Sequence, residues 1–115
     1  MEIRTRTEYG RTIVEVVGDL TLGGFDQRLE AAVLGSIGKD DLSVVVDLSA
    51  VDELDRFGLG RLVCCQAAAR AKGGEIALLW TSDRPWDLVT LAGLVGAFRI
   101  YRDLDRAVAE RRGAE

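Results

Sequence analysis

Four acidic side chains crowd one stretch of the sequence and are the residues best placed to do chemistry. Asp47, Asp52, Glu53 and Asp55 lie within a single short segment, and carboxylate oxygens are the ligands that Mg²⁺ and Ca²⁺ prefer. A magnesium site that takes part in phosphate chemistry would also need acidic residues after the first strand of the sheet and a lysine after the last strand. Neither lysine of the chain is placed there. The sequence therefore favours a solvated acidic loop and predicts no metal site.

Nucleophilic chemistry has equally little support. The chain has no histidine, which excludes Ser-His-Asp and Cys-His catalysis, a histidine general base, a histidine metal site and a phosphohistidine carrier. The only cysteines are the neighbours Cys64 and Cys65. Adjacent cysteines on a helix rarely form a disulfide, so we expect two small buried hydrophobic residues in a reducing compartment. The sequence predicts that the protein is not an enzyme and carries no cofactor.

Composition narrows the class of protein further. A chain of 115 residues, 48% of them hydrophobic, suits one folded domain over residues 1–115. The net charge is −4 and the only basic run is Arg111-Arg112, so a nucleic-acid binder, which needs a basic face, is disfavoured. The apolar runs are too short to span a bilayer, and the N-terminus shows no signal peptide. We expect a cytoplasmic protein without membrane insertion.

The elements that must position the acidic stretch follow from hydrophobic periodicity and turn signals. A hairpin of strands Glu2–Glu8 and Arg11–Val17, joined at Tyr9-Gly10, opens the chain, after which Gly18–Thr21 leads away from the strand. Strands and helices then alternate, with Ser49–Asp55 as a polar loop. The helices are expected at Phe25–Ile37, Phe57–Lys72, Pro85–Leu94 and Asp103–Arg112, and the further strands at Leu42–Leu48, Glu75–Trp80 and Phe98–Tyr101. This order predicts an α/β fold with a mainly parallel, mixed sheet of about five strands and about four helices.

The segment Val44–Gly60, VVVDLSAVDELDRFGLG, resembles the signature of the STAS domain family, which includes bacterial anti-sigma factor antagonists. Members of that family show a strand ending in DLS, a short loop, and DSSGLG at the start of a helix. Further likenesses follow the family's order along nearly the whole chain. They are GDLT at 18–21, AKGGEI at 71–76, LVTLAGL at 88–94 and the terminal helix at Asp103–Ala109. The resemblance implies a STAS-like fold and a role in protein–protein signalling.

The chain departs from the family at the position that matters most for regulation. In typical antagonists the second serine of DSSG accepts phosphate from a kinase-type anti-sigma factor. The matching residues here are Arg56 and Phe57, which a Ser/Thr kinase cannot phosphorylate. A phosphate at a helix N-terminus adds nearly two negative charges that weaken binding to the partner, and Phe57 cannot carry that charge. The resemblance therefore implies constitutive binding, or regulation elsewhere, with Ser49 as the weaker alternative phosphoacceptor.

Each residue of this segment also has a structural interpretation. Asp55 is expected to be an N-cap of the following helix, as well as lying beside the partner surface. Phe57 is either a core residue or an exposed apolar anchor, and the sequence does not separate the two. Gly58 and Gly60 are expected to pack the helix closely against the sheet, since Gly-x-Gly alone is weak evidence for phosphate binding. For Ser49 a role in capping a turn is favoured. Trp80 is expected in the core and Trp86 at partial exposure.

The resemblance assigns partner binding to a set of residues around the start of this helix: Asp55, Arg56, Phe57, Gly58, Leu59 and Arg61. It implies as partner a kinase-type anti-sigma factor or another protein of a stress-signalling complex. Homodimerisation stays open. Two alternatives remain. One is an accessory module of a transport system, since STAS-like domains also occur attached to transporters. The other is a sensor of a small ligand or nucleotide at the Asp55–Gly58 helix start.

Overall fold

The computed structural model describes residues 1–23, 27–38, 43–81 and 88–109, with backbone alone for 88–91. Its elements alternate as the sequence predicts, and they form one five-stranded mixed sheet in the order β1-β2-β3-β4-β5. β1 pairs antiparallel with β2 and every other neighbouring pair is parallel. The predicted α/β class is confirmed. The elements are β1 Glu2–Glu8, β2 Arg11–Leu20, α1 Arg28–Ser36, β3 Ser43–Leu54, α2 Arg56–Ala71, β4 Glu75–Leu79, α3 Leu88–Ala97, β5 Arg99–Tyr101 and α4 Leu104–Ala109.

The opening hairpin turns at Tyr9 and Gly10, as predicted. Both residues have positive φ, 53° and 77°, which is the backbone of the two-residue turn that matches the twist of antiparallel strands. Tyr9 adopts this conformation without being glycine, and its side chain is exposed. The hairpin leaves β1 as the antiparallel edge of an otherwise parallel sheet.

The sheet separates two apolar layers of unequal size. The larger core lies between one face and helices α1, α2 and α3, and includes Val14, Val46, Leu62 and Leu94. On the other face α4 packs over Ile13, Val45 and Leu79 through Ala107 and Val108. Alternate residues of a strand point to opposite faces, so β3 can supply both layers from its run of valines.

The largest difference from the sequence prediction lies in Ser49–Asp55, which is not a loop. β3 continues to Leu54, because Val51 and Leu54 are buried and because β2 continues alongside them. Gly18 pairs with Val51 and Leu20 with Leu54, so the predicted exit from β2 after Val17 is also wrong. The polar residues of this stretch predicted a loop, although Val51 and Leu54 are core positions.

Some helix boundaries differ from the sequence prediction because packing outweighs the local residues that usually end a helix. Gly93 and Gly96 do not end α3, which runs to Ala97, and Gly93 lies against the Leu59 side chain of α2. Helix α1 is described from Arg28. Phe25 of the predicted helix lies outside the described residues, as do Pro85 and Trp86. Asp103, the residue at which the sequence predicted the last helix to begin, caps α4, with its Oδ1 accepting from the Arg106 amide at 2.8 Å.

Candidate functional site

Asp55 fixes the start of α2. Its backbone is extended and its Oδ1 accepts a hydrogen bond from the Gly58 amide at 2.9 Å, while its carbonyl accepts from the Leu59 amide at 2.9 Å. This is the N-cap geometry predicted from the sequence, and it satisfies one of the amides that a helix start leaves without an intrahelical partner.

The second oxygen of the same carboxylate does something the sequence did not reveal. Asp55 Oδ2 accepts a hydrogen bond from the Leu22 amide at 3.3 Å, which ties the turn after β2 to the start of α2. Leu22 is thereby held next to the helix end with 72% of its surface exposed. The only sequence signal for this residue was an apolar side chain inside a glycine-containing turn.

Gly58 allows α2 to approach the sheet closely, whereas Gly60 does not. A Cβ on Gly58 would lie 1.9 Å from the Leu20 carbonyl oxygen and 2.9 Å from Leu54 Cδ1. A Cβ on Gly60 would meet nothing within 4 Å, because Gly60 is exposed on the outer side of the helix. The packing role predicted for both glycines is confirmed for Gly58 and wrong for Gly60.

Phe57 is neither fully buried nor fully exposed. It is half-buried and lines a cavity of about 640 Å³ between α1 and α2, together with Ala31 and Leu34. Across the same cavity Arg61 forms an ion pair with Glu30 of α1. Phe57 is therefore part of a groove between two helices.

The six residues predicted to bind a partner fall into three groups: those at the helix end, those packed toward the interior, and those that line the groove. Arg56 is exposed and Asp55 is half-buried at the cap. Gly58 is buried against β2, and Leu59 is half-buried against the main core and Gly93. Phe57 and Arg61 line the groove described above. The helix start thus brings all six together, but Gly58 and Leu59 face the interior of the protein.

Ser49 lies within β3 and not on the loop before α2. Its hydroxyl oxygen accepts a hydrogen bond from the Thr81 amide at 3.0 Å, and its own amide donates to Asp47 Oδ1 at 2.9 Å. The turn-capping role favoured for Ser49 is therefore wrong, because Ser49 is in a strand and its hydroxyl binds the backbone of a distant segment. Asp47 is itself buried, with Oδ2 at 3.8 Å from Arg6 Nη2, so the interpretation of this carboxylate as part of a solvated loop is wrong.

Two further predictions concern cysteine and tryptophan. Cys65 is buried as expected, and burial raises the pKa of its thiol to about 11 despite the opposing charge of Arg61. Cys64 is exposed, which corrects the expectation for it, because α2 turns position 64 away from the sheet.

Trp80 is half-buried on the main core, with the Arg102 guanidinium 4.6 Å from its ring centroid. The core placement predicted for Trp80 is only partly right.

In the part of the chain that the structure describes, no helix is long and apolar enough to cross a membrane.

Comparisons with known proteins place this fold and site in context. Residues 2–107 match the STAS domain. An anti-sigma factor antagonist from Mycobacterium paratuberculosis is 25% identical and superposes with a TM-score of 0.69, covering 94% of this chain and 91% of that one. The Thermotoga maritima protein TM1081 is 19% identical, with a TM-score of 0.70 over 96% of this chain and 88% of its own.

The anti-sigma factor antagonist SpoIIAA in its unphosphorylated form is 11% identical, with a TM-score of 0.63 and 94% of each chain covered. Among curated proteins no match was found. The family match spans nearly the whole chain, from β1 into α4, and the similar structures share the same fold. This chain therefore belongs to the STAS domain family.

Proposed function

We propose that this protein is an anti-sigma factor antagonist that binds a kinase-type anti-sigma factor, or a related signalling protein, through the N-terminal end of α2. The observation that supports the proposal most is the combination of the STAS fold with an α2 start capped by Asp55, in a chain 25% identical to an anti-sigma factor antagonist. The binding surface would consist of Arg56 and Phe57, with the Leu22 turn beside them.

We further propose that binding at this surface is not controlled by phosphate at the family position. Phe57 has no hydroxyl, and its ring lines the groove between α1 and α2. Arg56 adds a fixed positive charge on the exposed side of the same helix turn. A partner that is released by a phosphoserine in other antagonists would meet here an apolar ring and a cation, neither of which a kinase can change.

A capture experiment tests both parts. The wild-type chain, Phe57→Asp and Val95→Asp are immobilised, incubated with lysate of the source organism, and the retained proteins are identified by mass spectrometry. Val95 is an exposed apolar residue on α3, so its replacement introduces the same charge on a different helix. We expect an anti-sigma factor to be retained by wild type and Val95→Asp, and lost by Phe57→Asp.

The results of the capture experiment distinguish an error in the location of the partner surface from an error in the proposed regulation. Retention by all three chains, with each still folded by circular dichroism, would place the partner surface elsewhere. If the retained kinase and ATP add phosphate to the chain, for example at Ser49, constitutive binding is refuted. A Ser49→Ala variant then shows whether that residue carries the phosphate.

A further inference from the structure

The turn between β1 and β2 contains a residue that the turn itself does not favour. Tyr9 has a φ of 53°, a position where hairpin turns prefer Asn, Asp or Gly because a left-handed backbone is costly for a bulky side chain. Burial does not offset this cost, since Tyr9 is 73% exposed and its side chain forms no hydrogen bond or ring contact with another described residue. Strained residues of this kind occur at binding sites, so Tyr9 is a candidate for a function that folding does not require.

Tyr9 lines a cavity of about 390 Å³ beside helix α4. The other described residues that line this cavity are Asp105, Val108 and Ala109. Val108 is buried and belongs to the smaller apolar layer, on the sheet face opposite to α2. The volume lies in the range of small-molecule sites. The cavity is therefore of ligand size and separate from the start of α2.

Asp105 is the only charged residue among the described residues that line the cavity. It is exposed, and its carboxylate forms no hydrogen bond or ion pair with another described residue. Its neighbour Arg106 pairs instead with Asp103, at 3.6 Å. Arg11, at the start of β2, donates to the Ser43 carbonyl at 2.7 Å. The described part of the chain thus leaves the Asp105 carboxylate without a cation.

We propose that this cavity binds a small organic amine in its protonated form. The ammonium group would lie between the Asp105 carboxylate and the Tyr9 ring, whose face attracts cations, and the apolar part of the ligand would pack on Val108 and Ala109. A carboxylate ligand would be repelled by Asp105. A purely apolar ligand would desolvate that carboxylate without giving it a partner. The site adds a ligand-binding surface to a chain whose proposed partner binds at α2.

The test follows backbone amide NMR signals of the full ¹⁵N-labelled chain at neutral pH during titration with three probes. Phenethylammonium, phenethyl alcohol and hydrocinnamate carry the same phenylethyl group and differ in charge. We expect phenethylammonium to shift the amide signals of Tyr9, Asp105 and Val108 in a saturable manner. The alcohol should bind about twofold to fivefold more weakly, and hydrocinnamate more weakly still. Equal binding of the three probes, no saturable shift, or shifts confined to other residues would each overturn the proposal.

Substitutions separate binding from folding. Asp105→Asn should weaken phenethylammonium about twofold to fivefold and leave the alcohol unchanged, whereas Glu53→Gln, which removes an exposed carboxylate from β3, is the matched control and should bind like wild type. Tyr9→Phe keeps the ring and should also bind like wild type. Tyr9→Asn removes the ring but suits the positive φ, so its melting temperature should rise while its affinity for phenethylammonium falls.

If Asp105→Asn or Tyr9→Asn binds phenethylammonium as wild type does, the amine site is wrong. The titration involves no partner protein, and the capture experiment involves no amine. Failure of the amine site therefore leaves the proposed function intact, and the reverse also holds.

Discussion

Replacing Gly58 and Gly60 separately by alanine tests whether helix α2 is held against the sheet as described. Both glycines lie in the first two turns of the same helix. In each case alanine removes the entropic cost of a helical glycine, which is worth roughly 0.5–1 kcal/mol. Any difference between the two variants therefore comes from what the added Cβ meets.

At Gly58 the Cβ would lie 1.9 Å from the Leu20 carbonyl oxygen, and real Cβ contacts essentially never fall below 3.0 Å. Either α2 or the end of β2 must therefore move by at least about 1.1 Å, the difference between those two distances. The obstacle is backbone, so no side-chain rotation relieves it. Overpacking of this kind costs about 1–3 kcal/mol, and occasionally more.

At Gly60 nothing lies within 4 Å, so only the helix-propensity gain remains. We expect Gly60→Ala to be about 0.5–1 kcal/mol more stable than wild type and Gly58→Ala to be less stable by up to about 2.5 kcal/mol. Urea unfolding followed by circular dichroism measures both, with unchanged m-values as the check on two-state behaviour. Equal stability of the two variants would show that α2 does not rest on Leu20.

Four further predictions concern α2. Asp55→Ala removes the cap and should lower the free energy of unfolding by about 0.5–2 kcal/mol. Asp55→Asn keeps an acceptor oxygen, so its free energy of unfolding should fall by less, and an equal fall in both variants would contradict the cap. The Gln66 side chain donates to the Ile76 carbonyl and accepts from the Ile76 amide. Gln66→Leu should therefore lower the free energy of unfolding, measured by chemical denaturation, by about 1–3 kcal/mol. An unchanged free energy would show that the Ile76 amide and carbonyl find other partners. In native protein at pH 8, mass spectrometry after iodoacetamide should find Cys64 modified and Cys65 not, unless the helix is rotated. The pKa of Cys65 is raised from 9.0 to about 11, so its neutral thiol contributes stability that is fully present below about pH 9 and is lost as pH rises toward 11; this loss should vanish in Cys65→Ala.

Local sequence was sufficient for the order of elements and for their caps. The hairpin turn, the Asp55 and Asp103 caps and the end of α2 before Gly73 all lie where their residue types predicted. Each depends on interactions within a few residues of the chain, so residue type and spacing carry the information.

The errors occurred where a residue's role depends on a distant segment. The extension of β3 exists because β2 runs beside it, and Gly93 lies inside α3 because it packs on Leu59. Gly58 and Gly60 are indistinguishable as letters, and only the Leu20 carbonyl beside one of them makes them different. Stop signals and polarity are local preferences worth about 1 kcal/mol, which burial and strand pairing readily outweigh.

The candidate site shows the same division. The sequence alone determined that position 57 carries a phenylalanine, which has no hydroxyl group, and it predicted that Asp55 caps the helix. Only the tertiary structure decided that the Phe57 ring lines the groove between α1 and α2, and that Leu22 stands exposed at the second oxygen of Asp55. The physical reason is that a side chain's chemistry is a property of the residue, whereas its direction and exposure depend on the segments that fold around it.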